Sequence, residues 1–209
     1  MLETVFMSIF AVLFSGLVVL RSIYKLKAGV FRRGIYSRDE GVVVIVRRSV
    51  LGVPLLAAVV FYFLDPLSPG WARIDLPVGL RFSGVFLGSA SLILLARAHR
   101  ALGRNFSPTL IFQRDHRLVT EGPYRYIRHP IYAAYLLLFT AGFLVTTHWG
   151  IGVFGVSIIG LLMTFRLRRE EELLEEHFGE EYLAYSGKTP RFIPRLSVFV
   201  RRRDIESAD

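Results

Sequence analysis

Five apolar runs, at about 4–20, 49–64, 76–96, 131–145 and 151–165, set the strongest limit on what this chain of 209 residues can become. Each is near or slightly below the roughly 20 residues with which an α-helix crosses a bilayer. The basic residues alternate between the gaps. Residues 21–48 hold eight Lys/Arg against two acids and residues 97–130 hold seven Arg against two acids, whereas residues 65–75 hold one Arg and two Asp. Basic loops that recur on every second gap follow the positive-inside rule and orient a multi-pass protein. They place the N-terminus outside and the C-terminus in the cytosol. The formal net charge of +9 is explained by that orientation, with no basic face left over for nucleic acid. A mean hydropathy of +0.45 and 17 Phe fit the same class. The expected fold is an all-α integral membrane protein: a five-helix transmembrane bundle with a C-terminal helical hairpin.

The first run has no basic segment before it and no convincing small-residue cleavage site, so it reads as a retained helix rather than a signal peptide. The second run can extend back through Val42–Val46, with Arg47 and Arg48 snorkelling or marking a break. Pro66, Pro69 and Gly70 form the turn before the third. The last two runs are short: fifteen residues rise only about 22 Å as a helix. With Thr146, Thr147, His148, Trp149 and Gly150 as a polar turn, they read as a tight hairpin, either spanning in a thinned or tilted arrangement or partly re-entrant. Gly142, Gly152, Gly155 and Gly160 permit close helix contact. Three units follow: residues 1–96 with three transmembrane helices, residues 97–195 as a core, and residues 196–209 as a basic, frayed tail in which Arg201–Arg203 lie near anionic headgroups.

The chain has no cysteine, so disulfide, thiolate and cysteine–metal chemistry are excluded. His99, His116, His129, His148 and His177 form no compact ligand spacing, and no metal site is expected.

The stretch GPYRYIRHPIY at 122–132 sets two arginines, a histidine and three tyrosines immediately before an apolar run. Its plainest reading is a flank of cytosolic charges and interface aromatics. Pro130 is suited to the first turn of the following helix, where a missing N–H costs little. The 131–165 hairpin should return the chain beside His129 at the start of a helix over 166–178. On that helix Leu167, Leu174 and Phe178 share one face, and Glu171 lies about 40° from its centre, Glu170 about 60° on the other side, while Glu172 and Glu176 point away. Solvation and intrahelical pairs such as Arg168–Glu172 account for the outer acids. A carboxylate beside a packing face needs a partner, and Glu171 is the one that these account for least.

Together these groups suit a small zwitterion. An arginine holds a carboxylate by two prongs and a glutamate holds an ammonium; aromatic rings line a purine or face a cation. Arg128, Glu171, Tyr182 and Tyr185 supply such groups, with His129 as a further donor. S-Adenosylmethionine has the matching parts, although composition alone does not single it out.

Three motifs, LGRNFSP at 102–108, HRLVTEGPYRYIRHPIY at 116–132 and REEELLEEHFGEEYLAY at 169–185, make the chain resemble the isoprenylcysteine carboxyl methyltransferase and phospholipid methyltransferase superfamily over about Leu102 to Pro194. The resemblance implies a membrane-embedded methyltransferase that takes S-adenosylmethionine from the cytosolic side and a lipophilic acceptor from the bilayer. It implies that Arg128, His129, Pro130 and Tyr132, with Glu170, Glu171 and Tyr182, enclose the cofactor; Tyr124 and Tyr185 are candidates beside them. For catalysis, Arg166 or Arg104 can steer an anionic acceptor, Glu171 can hold the cofactor amine or sit near the positive charge, and Asn105 is either a hydrogen-bonding group or an ordinary turn residue. The acceptor is left open among a prenylated cysteine carboxylate, a lipid amine, a thiol and an isoprenoid. Rival readings are a membrane sterol or isoprenoid reductase using NADPH, whose C-terminal segment also contains an RHP motif, and a non-catalytic scaffold built on the same bundle.

Overall fold

The computed structural model describes residues 1–27, 42–67, 70–103 and 117–195. It is helical throughout: α1 (Leu2–Lys27), α2 (Val42–Leu64), α3 (Val78–Leu102), α4 (Pro130–Thr146), α5 (Trp149–Phe178) and α6 (Glu180–Lys188), with short 3-10 turns at Gly70–Ala72 and Gly122–Arg125. Each of the five apolar runs falls on one of the first five helices, the third starting two residues before α3. α2 does reach back to Val42, and Pro54 lies inside it. Among the described residues three helices, Leu2–Tyr24, Val78–Leu102 and Trp149–Phe178, are long and apolar enough to cross a membrane; Gly52–Leu64 and Pro130–Thr146 are shorter apolar segments. The molecule is an integral membrane protein, and its surface agrees. Phe86, Leu64 and Val12 are among many large apolar side chains left on the outside, an arrangement that lipid tolerates and water does not.

One expectation is corrected here. The helix over 166–178 is not a separate element, because α5 runs unbroken from Trp149 to Phe178. The onset of charge at Arg166 marks the end of the apolar stretch, and helical hydrogen bonding continues through it. The helix stops only at Gly179, whose φ of 52° suits a residue without Cβ.

Small residues let the helices approach. Gly84 and Gly88 on α3 face Ala141 of α4, and the Ser91 hydroxyl donates to the Ala134 carbonyl at 2.6 Å. α4 meets α5 through the rings of Phe139 and Phe143, which lie over Gly155 and Gly152. Gly142 also packs closely, near Ile151, but Gly160 has open space around it and takes no part, contrary to expectation. The core has two buried centres. Phe6, Phe10 and Leu13 of α1 meet Ala58, Val59 and Tyr62 of α2 in one. Leu17, Leu95, Ala134 and Leu138 join α1, α3 and α4 in the other.

The end of the bundle at Thr146–Trp149 is tied by charge. Arg81, 2% exposed, grips Glu3 with two nitrogens at 2.7 and 2.9 Å, donates to the Val145 carbonyl, and stacks over Phe6 at 3.7 Å. Arg73 adds a third contact to Glu3 at 3.0 Å. A buried arginine with its donors satisfied fixes the first turn of α1 against the last turn of α4.

Candidate functional site

The opposite end of the bundle gathers the residues singled out from sequence. Gly122, with φ of 58°, starts the 3-10 turn that buries Tyr124. Pro130 then opens α4 at its first position, leaving His129 in a non-helical conformation just before it. The main chain of this segment is held from the far end of the sequence. Arg128 N–H donates to the Pro190 carbonyl at 2.8 Å, and His129 N–H donates to the Arg191 carbonyl at 3.0 Å.

Glu171 is the hub. Its side chain is 13% exposed, and Oε1 lies 3.1 Å from His129 Nε2 and 3.3 Å from an Arg128 terminal nitrogen. Arg191 approaches both oxygens, the shortest contact being 2.6 Å to Oε2. Burial pushes the Glu171 carboxyl up and is the largest single influence on it. Hydrogen bonds from His129 and Arg191 and the charge on Arg128 together outweigh burial and hold it at about 2. Glu171 lies in the charged extension of α5, beyond the apolar stretch that ends at Phe165. The same pairing pushes Arg191 up from its ordinary value. Glu172, only one residue on, is half exposed and pairs outside with Arg168 and Arg169 at 3.5 Å.

Around this hub the other candidates take definite places. Tyr132 donates to Glu170 Oε2 at 3.2 Å, and Arg166 lies 3.9 Å from the same oxygen, one helical turn below. On α6, Tyr185 donates to the Tyr124 carbonyl at 2.7 Å. Burial pushes the Tyr124, Tyr182 and Tyr185 phenols up, with Glu170 adding to the effect at Tyr124 and Glu171 at Tyr182; all three are neutral donors. Tyr182 is 3% exposed, and its hydroxyl makes no hydrogen bond among the described residues, although the Arg128 guanidinium acts on it. Arg128 Nε is likewise buried without a partner among them. These two buried donors, which also neighbour each other, keep hydrogen-bonding capacity beside an ionised carboxylate that a polar ligand group could use. Asn105 and Arg104 lie outside the described residues.

Sequence reasoning missed Arg191 and Phe192. The Phe192 ring packs 5.9 Å from that of His129, closing the same face. Their signal was weak but physical: Pro190 and Pro194 bracket them, and two prolines so close favour an extended segment that seeks its hydrogen bonds elsewhere. Among the described residues no group of three or more potential ligands for a metal ion occurs.

The model of the isoprenylcysteine carboxyl methyltransferase (ICMT) family matches residues 85–176, the interval that contains α4, most of α3 and α5, and Glu171. Protein-S-isoprenylcysteine O-methyltransferase B of Arabidopsis thaliana is 28% identical over 104 residues, covering 49% of this chain and 53% of its own length. Cobalt-zinc-cadmium resistance protein CzcN of Cupriavidus metallidurans is 31% identical over 87 residues, covering 42% of this chain and 40% of its own. The chain therefore spans about half the length of the curated relatives it matches. The solved structure of a eukaryotic intramembrane Ras methyltransferase, ICMT, superposes on 90% of this chain and 67% of its own, with a TM-score of 0.60 and 19% identity. At that identity the likeness speaks for the fold.

Proposed function

We propose that this chain, whose residues 85–176 match the model of the isoprenylcysteine carboxyl methyltransferase family, is a member of that superfamily and transfers a methyl group from S-adenosylmethionine to a lipophilic acceptor at the cytosolic membrane face. The observation that carries the reading is the convergence of Arg128, His129 and Glu171 beside two buried donors, Arg128 Nε and the Tyr182 hydroxyl. That donor set fits the amino-acid end of the cofactor, which has a carboxylate to accept and an ammonium to donate. Tyr124, Tyr182 and Tyr185 offer the aromatic wall for its adenine.

S-Adenosylmethionine, when bound, supplies an already activated methyl. What the protein must add is alignment and the exclusion of water. Arg128, His129 and Glu171 orient the cofactor from α4 and α5, with Pro130 fixing the angle between them. Tyr132 and Arg166 hold Glu170 at the lower edge, where Arg166 also steers an anionic acceptor. A carboxylate acceptor needs no general base, whereas an amine or a protonated thiol must first lose its proton.

In this reading the bundle has five membrane helices, with the last two as a hairpin, the N-terminus outside and the C-terminus cytosolic. Residues 1–96 form the lipid-embedded portion and residues 97–195 the methyltransferase core. The test is titration of the purified protein with S-adenosylhomocysteine and with NADPH, followed by mass spectrometry of methyl incorporation from labelled S-adenosylmethionine into membrane extract. Micromolar binding of S-adenosylhomocysteine and a labelled lipophilic product are expected. Preferential binding of NADPH, or binding of neither, would overturn the assignment.

A further inference from the structure

Glu171 is crowded. Oε1 faces Arg128, His129 and Arg191, and Oε2 faces Arg191 twice. A carboxylate offers about four acceptor sites, so an incoming ammonium that is to be held here must replace a cation already present. The three donors are not equally replaceable. The side chains of Arg128 and His129 are 15% and 4% exposed, whereas that of Arg191 is 54% exposed. The Arg191 main chain, by contrast, is anchored. Its carbonyl accepts from His129 N–H, and Phe192 packs on the His129 ring. The segment can stay docked while the guanidinium alone swings.

We infer that Arg191 is a displaceable counter-ion. It occupies Glu171 until an amino-acid ligand arrives, yields that carboxylate to the ligand ammonium, and re-pairs with the ligand carboxylate. The exchange keeps every charge paired: one guanidinium–carboxylate contact opens, and an ammonium–carboxylate and a new guanidinium–carboxylate contact close. Arg191 is thereby a positioning residue that favours zwitterionic ligands over simple amines. This rests on the functional reading above and deepens it.

Two probes separate this role from a structural one: S-adenosylhomocysteine, which has both ammonium and carboxylate, and its decarboxylated analogue, which has only the ammonium. For the analogue Arg191 is purely a competitor, so Arg191→Ala should bind it about fivefold more tightly than wild type does. The same variant should bind S-adenosylhomocysteine no more tightly. Arg191→Lys, which retains the charge and loses the planar fork, should fall between wild type and Arg191→Ala for the analogue. Because the anchoring hydrogen bonds use main-chain atoms, both variants should elute as folded protein, with the thermal midpoint of Arg191→Lys nearer to wild type than that of Arg191→Ala. A merely structural Arg191 would weaken both probes together. That result, or an unchanged affinity for the analogue, overturns the inference while leaving the methyltransferase reading intact. If neither probe binds the wild-type protein, both readings fall.

Discussion

His129 Nε2 and Glu171 Oε1 lie 3.1 Å apart although 42 positions separate them in the chain. That contact closes the α4–α5 hairpin at its charged end and joins the two motifs that sequence reading singled out. Neutralising Glu171 should therefore matter far more than changing its neighbour. Glu171→Gln is expected to weaken S-adenosylhomocysteine binding by tenfold or more, since hydrogen bonds to charged groups contribute about 1.5–3 kcal/mol. Glu172→Ala should stay within about 0.5 kcal/mol of wild type in both binding and stability, as exposed positions do. Calorimetric titration of the two variants decides it, and equal losses would sink the distinction.

Acidity should reveal the same hub. A carboxylate depressed in the folded protein contributes stability that is fully present above its unfolded value, near 4.5, and is lost as pH falls toward about 2. The gap in thermal midpoint between wild type and Glu171→Gln should thus stay constant from pH 8 down to about pH 5 and narrow below that. A gap that closed already above pH 5 would contradict a carboxylate held at about 2.

The packing of α4 on α5 gives a sharper contrast. A Cβ on Gly152 would lie 2.7 Å from Phe143 Cβ, whereas one on Gly160 would meet nothing within 4 Å. Gly152→Ala should destabilise by about 1–3 kcal/mol through overpacking. Gly160→Ala should be neutral or stabilising by up to about 1 kcal/mol, since alanine is the better helix former. Thermal unfolding in detergent measures both; a loss in the second variant as large as in the first would refute the packing argument.

At the far end, Arg81→Met should cost about 3–5 kcal/mol, because it strips Glu3 of a buried partner. Removing the acid as well, in Glu3→Gln/Arg81→Met, should restore part of that stability. Ligand affinity of whatever protein remains folded should be unaltered, as the cluster lies across the bundle from His129. Unfolding curves paired with titrations test this, and a double variant no more stable than the single one would contradict it.

Much of this architecture could be read before any coordinates, and the reasons are local. Apolar runs announced α1 to α5 because lipid demands continuous stretches of side chains that need no water. Pro130 announced the start of α4, and helical phase separated Glu171 from Glu172. What escaped was less local. The pairing of Arg191 with Glu171 depends on where the chain returns after α6, and no periodicity encodes that. The continuation of α5 past Phe165 was hidden because a change of polarity resembles the end of an element. Gly160 looked like Gly152 and Gly155 because a glycine records permission for contact, not the contact itself.

The unbroken course of α5 has one more consequence, concerning depth. Six residues of rigid helix separate Phe165, where the apolar stretch ends, from Glu171, a rise of about 9 Å. The helix is thus a ruler that holds the hub at one distance from the end of the apolar stretch, about the thickness of a headgroup layer. In the proposed methyltransferase the amino-acid end of the cofactor would be held at that level, clear of the lipid tails.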